Sequence, residues 1–268
     1  MAEFNSHEDY WRFSHSVIHH SRHVFEPQVD DFLNTVASTM SERIFTIDPG
    51  SSLYRAQLGF DWDSRPVDRA DPDGEKFEIE APFPPARMKP LPDSAHEGRV
   101  NVKGIPCLYL SDDRDTAMAE TRPWIGSFVS LGIFNVEKEL RLVNCCADRY
   151  RFHHIPEPTH TRQERESIAW SEISQAFSEP VTSNDTSATY APTQILSELF
   201  RREGYDGIRY KSQLGSGYNY ALFELGSADL QSCGLCVLKS ISFSFDMAGE
   251  TYTRAIQGNL TSSASNRG

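Results

Sequence analysis

The sequence predicts an α+β fold: a small mixed or antiparallel sheet with helices around it, preceded by a helical extension. Three observations predict it. Apolar residues recur at helical spacing through the first 46 positions. The stretch GRVNVKGIPCLYLSDDRDTAMAETRP, residues 98–123, reads as an extended arm, a tight turn, a buried strand and a short helix. Two short apolar runs then flank the Gly-rich turn LGSG between residues 207 and 224. Strand and helix signals are both present and no internal repeat is visible, which fits a fold of mixed class around one core.

In the first 46 residues, Tyr10, Phe13 and Val17 mark one helix; Val29, Phe32, Leu33, Val36, Met40 and Ile44 mark a second. Pro27 fits the first turn of the second helix, where a missing N–H matters least. Asp48-Pro-Gly-Ser-Ser signals a turn and a boundary near residue 50. Residues 61–93 are rich in Pro, Asp and Gly, with FEIEAPF alone resembling a strand. A surface excursion of that length suits a lid or binding loop. From there the expected strands are 105–110, 127–136, 140–145, 207–212 and 219–224. The expected helices are 112–121, 162–178 and 191–203. Gly104 supplies a turn, Ser111 or Asp112 caps the first of these helices and Pro123 stops it. Gly204 caps the last. Leu235 to Phe245 alternates weakly, as an edge strand does, and the small polar tail 258–268 is expected to be disordered. The implied organisation is an N-terminal helical extension at 1–50, a catalytic domain at 51–230 and a C-terminal strand and tail at 231–268.

With 268 residues, 38% of them hydrophobic, the chain suits one domain with additions or two small ones. No apolar run approaches the ~20 residues of a membrane span, and MAEFNSHEDYWRF lacks the basic start and apolar core of a secretory signal. A cytoplasmic location away from membranes is therefore expected, which makes the Asn259-Leu-Thr sequon accidental. Five cysteines, an odd count, argue against a disulfide framework. Cys233-x-x-Cys236 is half of a zinc site with no second pair at useful spacing. His15, His19 and His23 share one face of a continuous helix but lack a carboxylate partner. No metal is expected on either count. Gly215-Ser-Gly217 lacks the Lys-Ser/Thr that completes a phosphate-binding P-loop. The net charge of -12 repels phosphate backbones and counts against nucleic acid.

Four groups of residues stand in order between Leu53 and Glu224. Leu53-Tyr54-Arg55-Ala56 comes first. Gly98-Arg99, Asn101, Gly104-Ile105, Leu108-Tyr109-Leu110 and Ala117 to Glu120 follow. Tyr190, Thr193 and Gln194 open a helix that ends at Gly204, before Tyr205-Asp206-Gly207-Ile208. Tyr210, Ser212, Asn219 and Leu222-Phe223 close the set. This order resembles the RES domain family, named for an arginine, a glutamate and a serine, whose members consume NAD. The resemblance implies an ADP-ribosyltransferase-like split sheet around a cleft, and the toxin of a bacterial toxin–antitoxin pair that depletes NAD. It implies NAD as substrate with no separate cofactor, phosphate or water as acceptor, and a cognate antitoxin as partner; the apolar stripe from Val29 to Ile44 is expected to pack on the domain or in a homodimer. By the same resemblance Arg55, Tyr109, Glu120 and Ser212 are the catalytic set, and Arg99, Asn101 and Asn219 bind substrate. Transfer of ADP-ribose to a protein, or a non-catalytic NAD-binding module, are the alternatives.

The residue types suit that chemistry. Bound nicotinamide is already cationic and leaves as a neutral molecule, so no general acid is needed and the transition state is oxocarbenium-like. An enzyme has to hold the pyrophosphate and set negative charge near the developing ribose cation. In an acidic chain, Arg55 and Arg99 supply the first and Glu120 the second. Tyr109 offers an aromatic face for nicotinamide, and Ser212 can orient its ribose or amide.

Overall fold

The computed structural model describes residues 3–68, 70–91, 95–147, 160–179, 187–242, 244–245, 249, 251–254 and 260–263. In chain order the elements begin with α1 (Asp9–His19), α2 (Pro27–Thr39), β1 (Ile44–Ile47), β2 (Ser52–Leu58), β3 (Asp61–Pro66) and β4 (Lys76–Ala81). There follow α3 (Pro85–Met88), β5 (Leu108–Ser111), α4 (Arg114–Ala119), β6 (Phe128–Val136), β7 (Leu140–Asn144) and α5 (Arg162–Ser178). The chain continues through α6 (Ala191–Arg202), β8 (Gly207–Lys211), β9 (Tyr218–Leu222), β10 (Ala228–Val237), β11 (Thr251–Arg254) and β12 (Leu260–Ser263). Residues up to Leu238 form one compact unit; the second, from Lys239 onward, contains the β11–β12 hairpin. Among the described residues no helix is long and apolar enough to cross a membrane.

An eight-stranded sheet in the order β1-β7-β8-β9-β5-β2-β6-β10 makes the frame. Only β7 and β8 pair in parallel; the other neighbours are antiparallel. Successive strand residues point to opposite faces, and the chain uses both. Cys107, Val143, Ile208, Tyr210 and Ala221 belong to one core, with α1, α2, α5 and α6. Leu108, Leu110, Leu142, Tyr220 and Leu222 belong to the other, with Phe83 and Met88. The apolar stripe of α2 packs inside the first core. There the Phe13 and Phe32 rings stack at 4.7 Å, and the indole N–H of Trp170 donates to Thr39 Oγ1 at 3.2 Å. The helical segment expected at 1–50 and the domain expected from 51 thus share one core.

Several boundaries differ from expectation for local reasons. The second helix ends at Thr39, and Ile44 opens an edge strand paired with β7. β5 starts only at Leu108, because Pro106 has no N–H to donate to the ladder. Asp113, rather than Ser111 or Asp112, caps α4, accepting from Thr116 N at 2.7 Å. Asp112 instead accepts from the backbone N–H of Tyr218 at 2.8 Å. The 61–93 excursion is more than surface: β3 and β4 form a hairpin, and Phe83 and Met88 are core residues. The last strand of the main sheet is β10, which lines the outer edge of β6 and ends at Val237, well short of Phe245. α1 stops at His19, so His23 lies beyond the helix and the three-histidine face does not form. The tail expected to be disordered, with the Asn259 sequon, lies mostly outside the described residues.

Candidate active site

β2 and β5 lie side by side in the sheet, and α4 follows directly from β5. Where they meet, a cavity of about 500 Å³ opens. Of the seven residues expected at the site, Arg55, Arg99, Tyr109, Glu120 and Asn219 line it. Ser212 and Asn101 lie just behind the wall, buried and tied to residues that do line it.

Glu120 is the C-cap residue of α4. Its side chain is exposed and opens on the cavity. Its Oε1 accepts from the Ser212 hydroxyl at 2.7 Å and from the Asn219 amide at 2.6 Å. Both donors flank one turn: Ser212 follows β8 and Asn219 sits in β9. That turn is locked by its own bonds. Ser212 Oγ accepts from the backbone N–H groups of Leu214 and Gly215, each at 3.1 Å. Gly217 N donates to Thr116 Oγ1 at 3.0 Å, tying the turn to the first turn of α4. A Cβ on Gly215 would come within 2.3 Å of that same Thr116 oxygen, which is why the turn needs glycine there. Two neutral donors fix one carboxylate oxygen without cancelling its charge.

Arg55 comes from β2. Its Nη1 donates to the Tyr109 carbonyl at 3.1 Å, while its buried Nε has no hydrogen-bond partner. Burial lowers its pKa from the usual arginine value. A buried N–H left unmatched is costly and calls for a ligand acceptor or another reason. Arg99 is held through Nη1 to the carbonyl of Phe177 at 2.7 Å, near the end of α5. Tyr109 projects its ring to the cavity wall and anchors its hydroxyl behind: it donates to Asn101 Oδ1 at 2.7 Å and accepts from Val100 N at 3.2 Å. Burial pushes its phenol well above the ordinary range. The Asn101 amide is spent on the carbonyls of His96 and Val102. Gln194 clamps the same arm through the carbonyls of Gly98 and Asn101. Asn101 therefore holds Tyr109 in place from outside the cavity lining.

Sequence reasoning passed over Tyr54, Tyr190, Tyr210 and Arg122 as site residues, and all four line the cavity. Tyr210 titrates above the ordinary range, chiefly through burial and next through the charge of Glu120. Its position two residues before Ser212, within the strand expected at 207–212, was the available signal, since alternate residues of a strand share a face. Arg122 adopts φ +50°, the one non-glycine positive φ among the described residues. Such strain clusters at functional sites, and nothing in the sequence announces it. Among the described residues no group of three His, Cys, Asp or Glu side chains is gathered for a metal ion.

One solved structure shares 14% identity with this chain: the M. tuberculosis MbcT–MbcA toxin–antitoxin complex. The match covers 76% of this chain and 92% of that one, and its TM-score of 0.35 is too low to support an inference. No curated protein matches. The family model of the RES domain matches residues 53–246, from just before Arg55 to beyond β10. The chain belongs to the RES domain family.

Proposed function

We propose that this chain cleaves the bond between nicotinamide and ribose in NAD, by phosphorolysis or hydrolysis, as the toxin of a toxin–antitoxin pair acting on the cytoplasmic NAD pool. Membership of the RES domain family supports the substrate and the toxin role. The observation that carries the chemistry is the Glu120 carboxylate, held by Ser212 and Asn219 in the wall of a cavity that also presents Arg55 and Arg99.

In the reaction the C1′–N bond breaks and its electron pair stays with the nicotinamide nitrogen, which becomes neutral. The positive charge passes to the ribose as an oxocarbenium ion, and Glu120 stabilises it electrostatically. A phosphate or water oxygen then bonds to C1′, and the acceptor's proton is lost to solvent. Arg55 and Arg99 hold the pyrophosphate through charge-assisted hydrogen bonds. Ser212 and Asn219 keep the carboxylate aimed. Tyr109 and Tyr210 provide aromatic wall for the nicotinamide end.

Incubation of the purified protein with NAD, with and without phosphate, followed by mass measurement of the products, tests the proposal. Free nicotinamide with ADP-ribose 1-phosphate marks phosphorolysis, and nicotinamide with ADP-ribose marks hydrolysis. ADP-ribose attached to protein marks transfer to a protein instead. Intact NAD under both conditions would overturn the reading.

A further inference from the structure

Next to the main cavity is a second chamber of about 540 Å³, lined by the inner face of α5 together with Cys146, Lys211 and Tyr218. Ser178 and Gln213 line both chambers, so the two meet there. Each is within the size range of a small-molecule site, and together they reach its upper end.

The waist carries two features that point to a ligand crossing it. Ser178 is 6% exposed, and its hydroxyl has no hydrogen-bond partner. A buried hydroxyl left unmatched is disfavoured unless something else completes it. The neighbouring residue, Phe177, holds the Arg99 guanidinium through its carbonyl. A cation suited to pyrophosphate, lining the same cavity as Glu120, is thereby tethered to the residue next to Ser178.

The second chamber is polar without strong net charge. Gln175 donates to Glu179 Oε1 at 2.5 Å, which leaves the Gln175 carbonyl oxygen and a second carboxylate oxygen available as acceptors. Such acceptors suit an exocyclic amine or ribose hydroxyls. Lys211 adds a cation, and Tyr218 adds a ring with the Arg209 guanidinium stacked 3.6 Å from its centroid.

We infer that the second chamber receives the adenosine half of the dinucleotide, so that NAD lies across both chambers with its pyrophosphate at the Ser178 waist. The inference rests on the NAD reading above. It assigns a binding role to Ser178, Gln175 and Glu179 that is separate from bond cleavage at Glu120.

Nicotinamide mononucleotide, which lacks the adenosine half, separates the two ideas. Gln175→Trp fills the second chamber from its exposed wall. The preference for NAD over the mononucleotide, read as a ratio of kcat/KM values or of inhibition constants, is expected to fall by about tenfold or more, the scale of one lost well-placed contact. Should the tryptophan prevent folding, the double variant Gln175→Ala/Ser178→Ala makes the same comparison by removing atoms only, with an expected fall of about threefold. An unchanged ratio in a folded variant would overturn the adenosine assignment and leave NAD cleavage standing. Failure of the wild-type protein to consume NAD would remove both.

Discussion

Glu120 and Ser212 form one hydrogen-bonded unit in this chain. Ser212, expected to orient substrate, is buried and gives its hydroxyl to Glu120, so on the proposed reading it acts through the carboxylate it holds. The residue types were legible in the sequence, since Arg55, Glu120 and Asn219 all line one cavity. Which of them face substrate and which stand behind was not, because that depends on strand parity and on one turn closing over α4. Outside the site, Glu172 on α5 is a titrating group that no motif announced. Burial first, then Asp9 and Glu8, push its carboxyl from 4.5 to about 7, and its Oε2 is buried without a partner. A raised carboxyl pKa favours the folded state fully below the unfolded value, and that advantage is lost as pH rises through the folded one. Glu172→Gln is therefore expected to melt above wild type at pH 8, with the gap narrowing as the pH falls toward 4.5. Melting curves across that range check the sign; a variant that melts below wild type at pH 8 would mean that the charged form is stabilised.

Elements with strong local signals were read within a residue or two. Helix α5 runs over the expected 162–178, its start fixed by the Thr161–Glu164 capping box, and α6 is followed by Gly204 at φ +85° as a helix stop requires. β1 was misread because Ile44 continues the periodicity of α2, whereas pairing with β7 decides its state. Periodicity alone cannot weigh a partner strand far along the chain. The Met88 segment was misread for a similar reason: one fully buried side chain carries it, in a stretch whose composition suggests a loop. The turn between β8 and β9 is the element on which the site depends most. Gly215→Ala would press a Cβ against both the side chain and the backbone of Thr116, pushing the turn off α4 and shifting Ser212 and Asn219. A displacement of about 1 Å at a catalytic group can cost about 100-fold in rate. Turnover is expected to fall on that scale while the protein stays folded; full turnover in a folded variant would show that the turn does not set the Glu120 position.

At the scale of the whole molecule, the sheet separates two cores and the site opens between β2, β5 and α4. The N-terminal helices belong to the helical core: Phe13 and Val17 are fully buried in it beside Trp170 and Phe200. A chain starting at Ser51 would lose β1 and uncover that cluster. It is expected to be insoluble or to unfold without a cooperative transition, since several large buried side chains at about 3–5 kcal/mol each exceed the stability of an ordinary domain. A soluble, cooperatively folded product would show that residues 1–50 form a separate layer. The proposed chemistry needs one negative charge held beside a ribose cation. Glu120→Gln keeps the shape and an oxygen acceptor for Ser212 and Asn219 but removes the charge. The most direct measurement follows NAD loss, NAD binding and thermal unfolding on one preparation of this variant. NAD should still bind and the melting temperature should change little, while turnover falls by at least about 100-fold, the scale of one preorganised electrostatic contact. Wild-type turnover with a lowered melting temperature would show that Glu120 is a structural residue and that the charge-stabilisation account is wrong.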